Sequence, residues 1–177
     1  PHDFSPKVEL LEDIPCVLVS RLAYEKMRHY VEIANMEVGW LGTVTVNEDT
    51  YLIDDVFLLH QEVTPTAAEL TNEGLIELAE EILSQPSGIQ IYETVRFWGH
   101  SHVSMGTNPS PQDNSQMEFF ERSGHPFFLR GILNKKGKMS FTLYRYDLGL
   151  KIIDVPWDLY ETSNEILRRQ IEEEFAR

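Results

Sequence analysis

Apolar positions along the chain switch between a period near two and a period near 3.6, and the switches lay out the elements. Cys16 to Val19 is a short apolar run of strand type, and Ser20 after it is placed to cap a helix. Leu22, Met27, Tyr30, Val31 and Ala34 then recur near helical spacing, which predicts a helix to about Asn35. From Met36 to Val63 the pattern is β. Trp40 and Leu41 lie between two glycines, Val44 and Val46 alternate with threonine, and Asn47-Glu48-Asp49 supplies a turn before the apolar run Tyr51 to Leu59. A hairpin follows from that order. Leu70, Leu75, Leu78, Ile82 and Leu83 predict a second helix from Thr66 to about Ser84, closed by Gln85-Pro86-Ser87-Gly88.

Tyr92 to His102 reads as a strand, Val103 to Pro111 as a loop punctuated by glycine and proline, and Asp113 to about Arg122 as a short helix. Phe127 to Leu133, Met139 to Tyr146 and Lys151 to Val155 are three further strands, the first two joined by the turn Asn134-Lys135-Lys136-Gly137. Strands and helices interleave through 177 residues without a repeat, a low-complexity tract or a linker, so the expectation is an α/β fold around one sizeable core. Ser163 to Phe175 reads as a last helix. Ile166, Leu167, Ile171 and Phe175 lie on one side of it and Arg168, Arg169 and three glutamates on the other, a face expected to pack on the domain or to meet a partner.

Charge narrows the class. Fifteen Lys and Arg against twenty-nine Asp and Glu leave a net charge of −14, which opposes the phosphate neutralisation that nucleic-acid binding needs. The single cysteine, Cys16, allows neither an intramolecular disulfide nor a thiolate cluster for a structural zinc, as expected of a reducing, cytoplasmic setting. Apolar stretches such as Ile14 to Val19 fall well short of the ~20 residues of a membrane helix, so a chain that neither spans a membrane nor carries a signal peptide is expected.

The candidate chemistry lies in Gly99-His100-Ser101-His102, followed by seven residues, Ser110, and Pro111-Gln112-Asp113. Residues two apart on a strand share a face, so His100 and His102 can aim both imidazoles at one point. A loop that returns Asp113 at a helix start adds a carboxylate, making a three-ligand set with a fourth tetrahedral position open, as in catalytic zinc sites. Each half also has an ordinary reading. Paired histidines on a strand are commonly unligated, and Ser110 to Asp113 is a good capping box with proline at the first helical position. The capping and ligand readings are compatible, because a helix N-terminus fixes a carboxylate and a hydroxyl at the rim of a site. Glu37 is the lone charge in Met36-Glu37-Val38-Gly39-Trp40-Leu41-Gly42; it is either a strand-edge glutamate facing water or a buried carboxylate with a functional reason to be there.

Taken together, Glu37 with Gly39, Leu41 and Gly42, then His100-Ser101-His102, seven residues, Ser110, two residues and Asp113, resembles the JAMM (MPN+) metalloprotease motif, Glu…His-Ser/Thr-His-x7-Ser-x2-Asp. The likeness extends over roughly Cys16 to Val155. It implies a JAB1/MPN-type, cytidine-deaminase-like fold, a curved mixed β-sheet flanked by helices. The catalytic domain would take residues 1–156, and residues 157–177 would form a C-terminal helical segment. One Zn2+ would be held by His100, His102 and Asp113, with Glu37 as general acid/base and Ser110 stabilising the tetrahedral intermediate. The implied reaction is hydrolysis of the amide bond after the C-terminal tail of a ubiquitin-like protein, in conjugates or precursors. Val103 and Gly99 depart from the common eukaryotic form, and the Val103 to Ser110 loop looks more like prokaryotic JAB proteins. The implied setting is therefore a bacterial ubiquitin-like conjugation system, such as an antiphage operon, with E1-like and E2-like partners. Alternatives are a scaffold subunit that keeps the site, or a peptidase for a sulfur-carrier or phage structural protein. A zinc nucleobase deaminase is disfavoured, since its paired cysteines and His-x-Glu are missing. Thr64 to Glu73 and Val103 to Pro109 are the expected grips for an extended peptide tail.

Overall fold

The computed structural model describes residues 14–58, 61–64, 67–70, 72–102, 106–107 and 109–177. The first strand, β1 (Cys16–Ser20), runs directly into helix α1 (Arg21–Ile33), and Ser20 caps it by accepting a hydrogen bond from the Ala23 amide at 3.0 Å. The predicted hairpin is β2 (Gly39–Asn47) and β3 (Thr50–Leu58), paired antiparallel with a bulge after Thr43. Glu48 takes the positive φ that a tight turn demands there. A small hairpin of β4 (Gln61–Thr64) and β5 (Ala67–Leu70) comes next, then helix α2 (Asn72–Leu83). The helix expected from Thr66 therefore starts later: residues 67–70 are committed to backbone pairing with residues 61–64, which apolar spacing does not register.

A short helix α3 (Gly88–Glu93) precedes β6 (Val95–His102), so the strand expected from Tyr92 begins three residues on. Gly88 lets α3 turn back against α2: a Cβ there would lie 2.2 Å from the Ile82 carbonyl oxygen. Helix α4 (Pro111–Arg122), strands β7 (Phe128–Asn134), β8 (Met139–Arg145) and β9 (Leu150–Ile152), strand β10 (Trp157–Tyr160) and helix α5 (Ser163–Phe175) complete the order.

Eight strands form one mixed sheet in the order β10-β1-β3-β2-β6-β7-β8-β9, parallel at β10-β1, β1-β3 and β6-β7 and antiparallel elsewhere. Residues 157–160, in the segment assigned from sequence to the C-terminal helix, supply its edge strand. Helices cover both faces. Val17, Val19, Ile53 and Phe97 meet Ala23, Met27 and Val31 of α1 on one side, whereas Leu41, Trp98 and Phe128 meet Leu78 and Ile82 of α2 and Met117 and Phe120 of α4 on the other. Phe97 and Trp98 are neighbours in β6 yet enter different cores, the alternation that a strand buried on both faces imposes. Phe120 stacks on Phe128 at 3.8 Å with rings 6° from parallel, a contact of about 0.5–1.5 kcal/mol beyond simple burial that fixes α4 over β7.

The terminal helix leaves its apolar face exposed, which does not decide between the two roles expected of it, packing on the domain or meeting a partner. Its capping box forms between Thr162 and Glu165, but α5 carries no buried residue, and Phe175 is 88% exposed. Among the described residues no helix is long and apolar enough to cross a membrane.

Candidate metal centre

The site is built on β6, an interior strand held by β2 on one side and β7 on the other. Gly39 and Ile132 flank His100 in register, so its backbone is fixed from both directions. Trp98, His100 and His102 share the face toward α4, and the Trp98 ring stacks on the His100 ring at 4.5 Å. Gly99 lies under Trp40: a Cβ on it would come within 2.1 Å of Trp40 Nε1.

Asp113 arrives by the capping route. The Ser110 side chain accepts from the Asp113 amide at 3.3 Å, and the Ser110 amide donates to Asp113 Oδ2 at 2.6 Å, with Pro111 in the first helical turn. The box holds the carboxylate against the imidazoles, with Oδ1 2.9 Å from His100 Nε2 and Oδ2 3.5 Å from His102 Nε2. All three side chains are buried, and their ligand atoms lie within 4.8 Å of one another.

The group fits a metal ion on two counts. Ligand bonds of 2.0–2.2 Å at tetrahedral angles place ligand atoms about 3.3 Å apart, a separation that the observed 2.9 and 3.5 Å bracket. In addition, the close approach of His100 Nε2 to Asp113 is not aligned as a hydrogen bond, and neither ring nitrogen of His100 has a hydrogen-bond partner among the described residues. A buried imidazole with an uncommitted lone pair facing a carboxylate is what a cation between them would satisfy. His102 is oriented from behind by a 3.0 Å contact between Nδ1 and the Gly106 carbonyl, which fixes the tautomer that leaves Nε2 free.

The electrostatics agree. Burial works to raise the Asp113 carboxyl, but the two facing imidazoles and the Ser110 amide outweigh it and hold the group well below the usual carboxylate range. Burial pushes His100 down, against the opposing pull of Asp113, so its ring is neutral near pH 7. His102 is raised, chiefly by its contact with Asp113.

Glu37 lies in the connection between α1 and β2 and is 8% exposed, so the strand-edge reading in which it faces water does not hold. Burial raises its carboxyl, with His102 pulling it down and Asp113 pushing it up, which places it within electrostatic reach of the centre. It is not one of the three mutually close ligands. The residue missed from sequence is Ser101. Its side chain points away from the imidazoles, accepts from the Val38 amide at 2.9 Å, and its own amide donates to the Val38 carbonyl at 2.9 Å. This two-point clamp ties the segment next to Glu37 to the histidine strand, and its one sequence signal is a hydroxyl between two candidate ligands. His125 packs on Phe120 and Phe128, outside the three clustered side chains. Of the two expected grips for a peptide tail, residues 65–66, 71, 103–105 and 108 lie outside the described residues.

In comparison with known proteins, no family model and no curated protein matches the chain.

Proposed function

We propose that this chain is a JAMM-type zinc metallopeptidase with a JAB1/MPN-type fold, hydrolysing the amide bond after the C-terminal tail of a ubiquitin-like protein. The observation that carries the reading is the convergence of His100, His102 and Asp113 at one buried point, with the buried Glu37 within their electrostatic reach. The mixed sheet covered by helices on both faces supports the fold assignment. A zinc ion bound to the three ligands supplies Lewis acidity and an activated water at neutral pH.

The chain's own groups supply the rest. Glu37 takes the proton of the attacking water at its carboxylate and delivers it to the leaving amine, a task that suits a carboxyl raised by burial toward the working pH. Ser110 is half-buried at the head of α4, and its hydroxyl can accept from the Asp113 amide while donating to a developing oxyanion. Ser101 keeps Glu37 in register with the ligands through Val38. The wider setting proposed is a bacterial cytoplasmic conjugation system with E1-like and E2-like partners. Zinc-loaded protein incubated with a panel of ubiquitin-like fusions should cut at the end of the tail, with chelator abolishing the cut. A zinc-replete protein that leaves every fusion intact overturns this substrate assignment and returns the reading to a scaffold subunit or a peptidase for another protein.

Zinc binding itself carries a pH signature. The raised His102 holds a proton that must leave before Nε2 can ligate, so one proton is released on binding at pH values below its folded-state pKa. Affinity should therefore fall about tenfold for each pH unit below that point and level off above it. Calorimetric zinc titrations in buffers of different ionisation heat measure the released proton directly. A release that stays at zero from pH 6 to 8 contradicts the ligand role of His102.

A further inference from the structure

A cavity of about 120 Å³ lies over β7 and β8, on the face of the sheet that carries the imidazoles, with Ile132 in its lining paired in register with His100. Arg130 and Thr142 line its base, and Thr107, Ser140, Lys151 and Asp154 its walls and rim. Arg130 is in register with Trp98 on the adjacent parallel strand, one strand over from His100. It is the only charged residue in Phe127 to Leu133 and is 2% exposed.

A buried guanidinium is expensive unless an anion meets it. Arg130 has neutral acceptors only: Nη1 donates to Asn114 Oδ1 at 3.0 Å and Nη2 to Thr142 Oγ1 at 3.4 Å, and among the described residues it makes no ion pair. Asp113 attracts it from beyond ion-pair distance, and a cation held by Asp113 would offset that attraction. A second cation shares the place. Arg130 lies 5.4 Å and Lys151 5.5 Å from the same Tyr144 ring, and Lys151 likewise makes no ion pair among the described residues. Two cations thus converge on one cavity in a chain of net charge −14. The single acid at the rim, Asp154, is exposed and pairs with neither. Its charge disfavours a dianion such as phosphate more than a monoanion.

We propose that this cavity binds one carboxylate group, paired by Arg130 from below and Lys151 from the rim. Two of Arg130's five donors are engaged by the neutral acceptors, leaving others for the charge-assisted bonds that a carboxylate accepts. The carboxylate comes either from a free small acid or from an acidic side chain on a polypeptide, and the two sources are separable.

The test uses the full-length, zinc-loaded protein, read at Arg130 and not by proteolysis, with the metal-free form run alongside to reveal any coordination of the probe by zinc. The Arg130 guanidinium resonance, assigned with Arg130→Lys, is followed by NMR during titration with N-acetyl-glutamate α-N-methylamide, its glutamine counterpart, acetate and inorganic phosphate. The glutamate derivative should shift the resonance saturably, with the glutamine derivative at least about tenfold weaker. Acetate binding as tightly as the glutamate derivative assigns a free acid; tighter binding of the derivative assigns a polypeptide side chain. Lys151→Met, an exposed change that leaves the interior intact, should weaken the glutamate derivative several-fold and keeps the test available if Arg130→Lys does not fold. Equal response to glutamine and glutamate derivatives, no saturable shift, tighter binding of phosphate, or unchanged binding in Lys151→Met overturns the proposal.

Discussion

Asp113→Ala should purify without metal at this centre, and His100→Ala should do the same. Each variant leaves two of three ligands at a buried point, and for a first ligand the loss of affinity should exceed the 10–100-fold that follows from disturbing an outer partner. The two differ in their structural cost. Asp113→Ala also removes one half of the capping box with Ser110, worth about 0.5–2 kcal/mol, whereas His100→Ala opens space beneath the stacked Trp98 ring. Asp113→Asn separates the effects, because an amide oxygen still accepts from the Ser110 amide but brings no charge. Elemental analysis after dialysis against zinc-free buffer, alongside thermal unfolding of the metal-free forms, gives both quantities. One zinc per chain in either alanine variant would remove that side chain from the ligand set.

On the proposed function, Glu37→Gln should retain one zinc per chain and lose about 10²–10⁴-fold in turnover, the scale of a general acid–base contribution. The substitution keeps shape and burial and removes only the capacity to take a proton, and Glu37 is not among the three close ligands. The wild-type profile carries a matching sign. A base must be ionised to act, and burial raises the Glu37 carboxyl, so the rate rises with pH through that raised value and is lost as acid protonates the group. In Glu37→Gln that acid limb disappears from whatever activity remains. Substrate cleavage and zinc content measured on the same preparation decide the case: full turnover would falsify the base assignment, and lost zinc would make Glu37 a structural support of the ligands.

The clustered residues explain why so much of the centre is legible in the chain. A strand alternates faces, so His100 and His102 point together wherever that strand lies, and a capping box fixes Asp113 to Ser110 within four residues. Both are local rules. Ser20 as the cap of α1, the β2-β3 hairpin with its turn at Glu48, and the capping box at the head of α4 were readable for the same reason, although the helix starts at Pro111, two residues before the Asp113 expected. The errors fall where long-range pairing or backbone proximity overrides the local pattern. Residues 67–70 enter a hairpin instead of a helix, Tyr92 joins a short helix that Gly88 allows to fold back, and Trp157 to Tyr160 become an edge strand by pairing with β1.

From sequence alone came the α/β class, the local elements and the five residues with chemical potential, because each depends on periodicity or on spacing of a few residues. Only the tertiary structure decided that β6 and the head of α4 meet, that Glu37 is buried within their electrostatic reach, that Ser101 reaches across to Val38, and that Arg130 is enclosed with no ion pair among the described residues. Those contacts join positions far apart in the chain. Their geometry is set by which strands pair and which faces pack, and no local spacing encodes that choice.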